Sequence, residues 1–106
     1  MTDASASAPE PPFTTDTWVV AASDQVSAAL EGETIVLTLR GGVYYALDRV
    51  GSRVWALIAM PTPLAVVHAT LVREYDVAPG TAWNDLVTLI ADLFAAGLLI
   101  RAVPAR

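Results

Sequence analysis

The residues nearest to a catalytic set in this sequence are one histidine, His68, the serines Ser23, Ser27 and Ser52, and scattered carboxylates. A histidine acting as base or metal ligand needs a carboxylate, a thiolate or a second imidazole within reach. The positions one helical turn from His68 are Leu64, Ala65, Leu71 and Val72, none of which titrates. His68 therefore reads as a structural residue beside a buried stripe. None of the serines sits in a Gly-x-Ser-x-Gly elbow, and all would share the same histidine. The chain has no cysteine, which excludes thiolate catalysis, disulfides and sulfur-ligated zinc together. No Asp/Asn-rich loop gathers oxygen ligands for a hard cation. Gly41-Gly42 joins two strand-like runs and opens no helix, so it is a hairpin turn and not a phosphate cradle. The expectation is a protein with no enzymatic activity, no cofactor and no metal.

A chain of 106 residues has room for one domain, and 55% hydrophobic content fills a single core. Charged residues or Pro and Gly interrupt every apolar run before about 18 residues, so no segment reads as membrane-spanning. Net charge is −5, with six cations that are all arginine. That balance lacks the basic footprint that grips phosphate backbones, so nucleic acid is not the expected partner. Met1 to Pro12 is polar and Pro-rich without the basic start and apolar centre of a secretory signal, which points to the cytoplasm. Residues 1–16 are expected to be a disordered lead-in and residues 17–103 the folded domain.

Four runs carry strand patterning: Trp18 to Val20, Val26 to Leu30, Thr34 to Leu39 and Val43 to Leu47. Glu31-Gly32-Glu33 and Arg40-Gly41-Gly42 supply the turns between the later ones. Asp48 offers a carboxylate to cap a helix over about residues 50–59, with Val50, Val54, Leu57 and Ile58 on one face and Trp55 beside them. Thr62-Pro63 predicts the next helix start, Thr62 capping and Pro63 first in the helix, with Leu64, Val67, Leu71 and Tyr75 buried. Thr81 is expected to cap a third helix that runs to about Ala96 and stops at Gly97, and Leu98 to Val103 adds an extended tail. This is an α+β order, a three-stranded antiparallel sheet followed by three helices, the element order of a permuted winged helix.

The stretch Gly42-Val43-Tyr44-Tyr45-Ala46-Leu47-Asp48, followed by Gly51 and Val54-Trp55-Ala56-Leu57-Ile58, resembles the strand-to-helix signature of the PqqD family. In the third helix Asp85-Leu86, Leu89-Ile90, Leu93 and Gly97-Leu98-Leu99 resemble that family's closing pattern, so the likeness covers roughly residues 17–100. Asp48 stands where the family commonly has Asn, which leaves helix capping intact. The resemblance implies a RiPP recognition element, which binds the leader segment of a ribosomally made precursor peptide and has no catalysis of its own. Within the family the chain looks most like the stand-alone leader-binding protein of lasso-peptide biosynthesis. Its partners would then be the precursor leader, a leader peptidase and a cyclase.

On that reading the leader adds as a strand beside Val43, Tyr44, Tyr45, Ala46 and Leu47, in β-augmentation. Its apolar side chains would enter a pocket walled by Trp83, Val87, Ile90 and Phe94, while Arg53, with Arg40 and Arg49, would steer acidic leader residues. At about 100° per residue, Trp83, Val87 and Phe94 widen the helix's core stripe on one side only. Two readings of that edge stand open, a broad core face or the wall of a groove. The alternative function is a winged-helix DNA regulator reading through this third helix. Asp85 and Asp92, with no Arg or Lys from Thr81 to Ile100, argue against it.

Overall fold

The structure, a computed structural model, describes residues 13–39 and 41–104. Its elements are β1 (Trp18–Ala21), β2 (Gln25–Leu30), β3 (Glu33–Thr38), β4 (Tyr44–Leu47), α1 (Arg49–Leu57), β5 (Thr62–Pro63), α2 (Leu64–Glu74), α3 (Pro79–Ala95) and β6 (Leu99–Ala102). The meander is β2-β3-β4, antiparallel throughout, with β2 and β4 at its edges. Glu31 and Gly32 close its first hairpin with φ of 48° and 88°, a pair of positive angles whose twist matches the flanking strands. Gly41 and Gly42, at 89° and 67°, close the second. The Trp18 run lies outside this sheet. It forms a smaller one of order β5-β1-β6, in which the expected C-terminal tail is β6.

Alternation along the meander separates two faces. Thr34, Val36 and Thr38 of β3 and Leu47 of β4 turn inward and are buried beneath α1. Val26, Leu37 and Tyr44 stand in register on the outer face and are exposed. The helices close the core from the inner side with Val54, Ile58, Leu64, Val67, Leu86, Ile90 and Leu93, all buried. As the sequence predicts, Asp48 caps α1, its Oδ1 accepting the Gly51 N–H at 2.8 Å. Val50 departs from the expected buried stripe and is exposed.

Two expected caps are corrected. Thr62 lies in β5 with its hydroxyl 2.9 and 2.7 Å from the carbonyls of Leu57 and Met60, and the residue preceding α2 is Pro63, which has no side-chain cap to offer. The first-turn N–H groups of Leu64 and Ala65 instead donate to the carbonyls of Thr17 and Thr15, at 2.9 and 3.0 Å. Thr81 lies inside α3, which starts earlier, with Pro79 at a position where a missing N–H costs nothing. The C-terminal stop is as expected. Gly97 has φ of 77°, and the N–H groups of Leu98 and Gly97 donate to Leu93 and Phe94, the paired bonds of a Schellman motif.

The packed body also starts before residue 17, the expected boundary. Phe13 is 2% exposed and belongs to the core. Its ring meets Phe94 edge-on at 5.6 Å, and the Arg101 guanidinium lies 4.6 Å from its centroid. The rest of the expected lead-in, residues 1–12, and Arg40 lie outside the described residues.

Candidate functional site

The β4 edge has its backbone polarity settled by the ladder on its other side. Thr38 N–H donates to the Val43 carbonyl at 2.9 Å, and the next register pairs are Leu37 with Tyr44, Val36 with Tyr45, Ile35 with Ala46 and Thr34 with Leu47. Antiparallel pairs alternate between exchanging hydrogen bonds and not. Val43, Tyr45 and Leu47 therefore turn their amides and carbonyls toward β3, while those of Tyr44 and Ala46 face outward, away from the sheet. Leu39 N–H donating to Asp24, on the β2 side, fits the same alternation. The strand has no charge or proline to protect its outward groups, so it is open to pairing with a further strand.

Beside that edge runs a groove of about 440 Å³ lined by Tyr45, Ala46, Leu47, Asp48, Val50, Gly51, Asp85 and Leu89. Val50, Asp85 and Leu89 also line an apolar cavity of about 150 Å³, completed by Val54, Leu71, Tyr75, Val77, Ala82 and Leu86. That volume holds a benzene-sized group. The groove thus joins backbone groups that have no partner among the described residues to an apolar recess. Above it the Tyr45 hydroxyl donates to the Asp92 carboxylate. Burial, the Asp92 charge and that hydrogen bond, in this order, raise the tyrosine's pKa above its ordinary value.

The structure distributes the sequence-predicted site residues unevenly. Tyr45, Ala46 and Leu47 line the groove, and Val43 and Tyr44 continue the same strand edge. The four residues expected to wall the pocket do not meet them. Ile90 is fully buried in the core. Trp83 packs edge-on against His68, with ring centroids 5.4 Å apart, and Phe94, still 44% exposed, packs on Phe13. Val87 is half-buried on that same flank. About 100° per residue puts Trp83, Val87 and Phe94 on one side of the Leu86–Ile90–Leu93 stripe and Asp85, Leu89 and Asp92 on the other. β4 approaches the second side, so Asp85, Leu89 and Val50 are the groove-lining residues that the sequence reading did not name. Helical periodicity reveals both flanks and does not say which one a strand will approach.

Arg53 is also displaced from the groove. Its Nε and Nη2 donate to the two carboxylate oxygens of Glu74 at 2.9 and 2.8 Å, tying α1 to the end of α2. That hydrogen bonding lowers the Glu74 pKa and raises that of Arg53. Arg53 and Arg49 line a separate recess with Trp55 and Gly32. His68 is structural as expected, its Nε2 lying 2.8 Å from the Pro79 carbonyl, where it latches α2 to the start of α3. Among the described residues no three His, Cys, Asp or Glu side chains are grouped to hold a metal, and no helix is long and apolar enough to cross a membrane.

The chain is a small α+β fold with an open sheet edge beside a helix, and the comparisons place that fold in a known family. The family profile described as coenzyme PQQ synthesis protein D (PqqD) matches residues 33–99, and the chain belongs to that family. Proteins of this family are non-catalytic peptide-binding domains. Among solved structures the fold matches "TbiB1 in Complex with the TbiA(beta) Leader Peptide", with a TM-score of 0.73 and 29% sequence identity over 80% of this chain and 99% of that one. No curated protein matches.

Proposed function

We propose that this protein is a non-catalytic adaptor that binds the leader segment of a ribosomally made precursor peptide and presents it to a leader peptidase and a cyclase. The peptide adds to β4 as a fourth strand, its backbone meeting Tyr44 and Ala46 and its apolar side chains entering the groove against Leu89 and Val50. The single observation that carries this reading is the unpaired, uncharged β4 edge lying directly beside an apolar recess. The similarity to TbiB1, a protein solved with a leader peptide, supports it. Within the family the chain looks most like the stand-alone leader-binding protein of lasso-peptide biosynthesis, so the precursor of this reading is a lasso peptide, met in the cytoplasm where it is translated. DNA reading by α3 is disfavoured, because its open flank carries Asp85 and Asp92, which repel phosphate.

Proline substitution at adjacent positions tests the docking edge. Tyr45→Pro deletes a donor within the β3–β4 ladder and should cost about 3 kcal/mol or more of stability. Tyr44→Pro removes only an outward donor, so the fold should persist while binding of the leader encoded beside this gene is largely lost. Circular dichroism melts and fluorescence anisotropy on both variants separate these outcomes. Leader affinity unchanged in a folded Tyr44→Pro protein would exclude docking along β4.

A further inference from the structure

We infer that the groove selects a peptide in which a basic side chain neighbours the apolar anchor, and that Asp85 is the residue making this selection. The inference rests on the docking reading above and adds the chemical class of the leader. Asp85 lines both the groove and the apolar cavity, and Asp48 also lines the groove. Among the described residues the Asp85 carboxylate accepts no hydrogen bond and forms no ion pair. Among the described residues no arginine lines either space. Arg53 is held by Glu74, and Arg49 lies on the Gly32 side of α1, where a Cβ built on Gly32 would come within 3.8 Å of its Nε.

A strand laid along β4 covers Asp85 and removes water from its carboxylate. That desolvation is unfavourable unless the incoming chain supplies a compensating charge or donor. The position of Asp85 at the mouth of the cavity sets where the charge must be. A side chain that fills the recess between Val50 and Leu89 brings its sequence neighbours past Asp85, so a Lys or Arg close to the anchor meets the carboxylate. An acidic residue there faces two like charges in a partly dried groove, and the protein's net charge of −5 adds to the repulsion. The sequence-based expectation of arginines steering acidic leader residues is thus reversed at this groove.

The test uses the full chain and phage-displayed random dodecapeptides, followed by synthetic copies of the enriched sequences. Peptides selected on the native chain should be enriched in Lys or Arg at a constant spacing from a large apolar residue. Exchanging that basic residue for Glu should weaken binding roughly ten-fold, one attraction lost and one repulsion gained. Asp85→Asn should flatten the preference, and Asp85→Lys should favour the Glu peptide, each variant being checked for folding by circular dichroism. Peptides that bind, depend on Tyr44, and show no basic enrichment or less than a two-fold response to the exchange would overturn the inference and leave the docking reading standing. If no peptide is retained, or if retained peptides ignore Tyr44→Pro, the docking reading fails and this inference falls with it.

Discussion

Trp83, Val87 and Phe94 on one flank of α3, and Asp85, Leu89 and Asp92 on the other, are separated by a single buried stripe and meet different neighbours. His68 of α2 and Phe13 of the N-terminal segment cover the first flank with aromatic contacts. The second faces the β4 edge across a groove that no element of the described chain fills. Aromatic bulk thus marks the closed side, where it is spent on joining elements. The open side carries smaller apolar and acidic residues. In this protein a cluster of large rings on a helix flank indicates packing, and the proposed docking face is marked by a strand edge with no partner among the described residues.

The largest expected effect lies at Phe13. Phe13→Ala empties a buried site on the closed side and should cost about 3–5 kcal/mol in a urea denaturation series, with peptide affinity per folded molecule unchanged. A loss below about 1 kcal/mol would mean that the N-terminal segment contributes little to the closed side.

The next largest effect is a crossed pair. Trp83→Ala should lower stability by about 2–3 kcal/mol with little change in affinity, its ring being partly exposed and short of a fully buried aromatic's cost. Leu89→Ala should weaken leader binding by about 1–2 kcal/mol, the loss of an apolar anchor wall, with a smaller stability cost. Calorimetric titration beside thermal melts reads both quantities. The reversed pattern would move the docking surface to the aromatic flank.

The smallest effect concerns Tyr45. Its raised pKa means that the folded state holds the phenolic proton more tightly than the unfolded chain does. The associated stability is fully present below the ordinary tyrosine pKa and is lost as pH rises through the higher folded value. Asp92→Asn removes the charge and weakens the hydrogen bond, so it should bring the Tyr45 transition back toward the ordinary range in an ultraviolet-monitored titration. An unmoved transition would leave burial as the sole cause.

Much of this architecture is legible in local chemistry. Paired glycines need positive φ, Asp48 precedes a helical stripe, and Gly97 stops α3, so the meander and the first and last helix boundaries follow from neighbours in sequence. Non-local partners are what periodicity misses. Thr62 and Thr81 look like caps, yet α2 is capped by main-chain carbonyls of the segment before β1, distant in sequence, and α3 begins at Pro79. Phe13 looks like part of a polar lead-in until Phe94 and Arg101 are placed around it. The strand edge of the candidate site was visible from Val43 to Leu47. Which flank of α3 lies beside that edge is not legible, because both flanks satisfy the same 3.6-residue period.

The capping of α2 by the carbonyls of Thr15 and Thr17 bears on how this protein tolerates change. A main-chain acceptor survives every side-chain replacement, so alanine scanning across Thr14 to Thr17 can remove the threonine hydroxyl contacts there and never touch the cap. Side-chain drift at Thr15 and Thr17 is therefore free of this constraint, while the path of the chain is not. Trimming the protein to start at Trp18 would strip two acceptors from the start of α2 at one stroke. A truncation chosen from where regular secondary structure begins would thus damage a helix more than forty residues away.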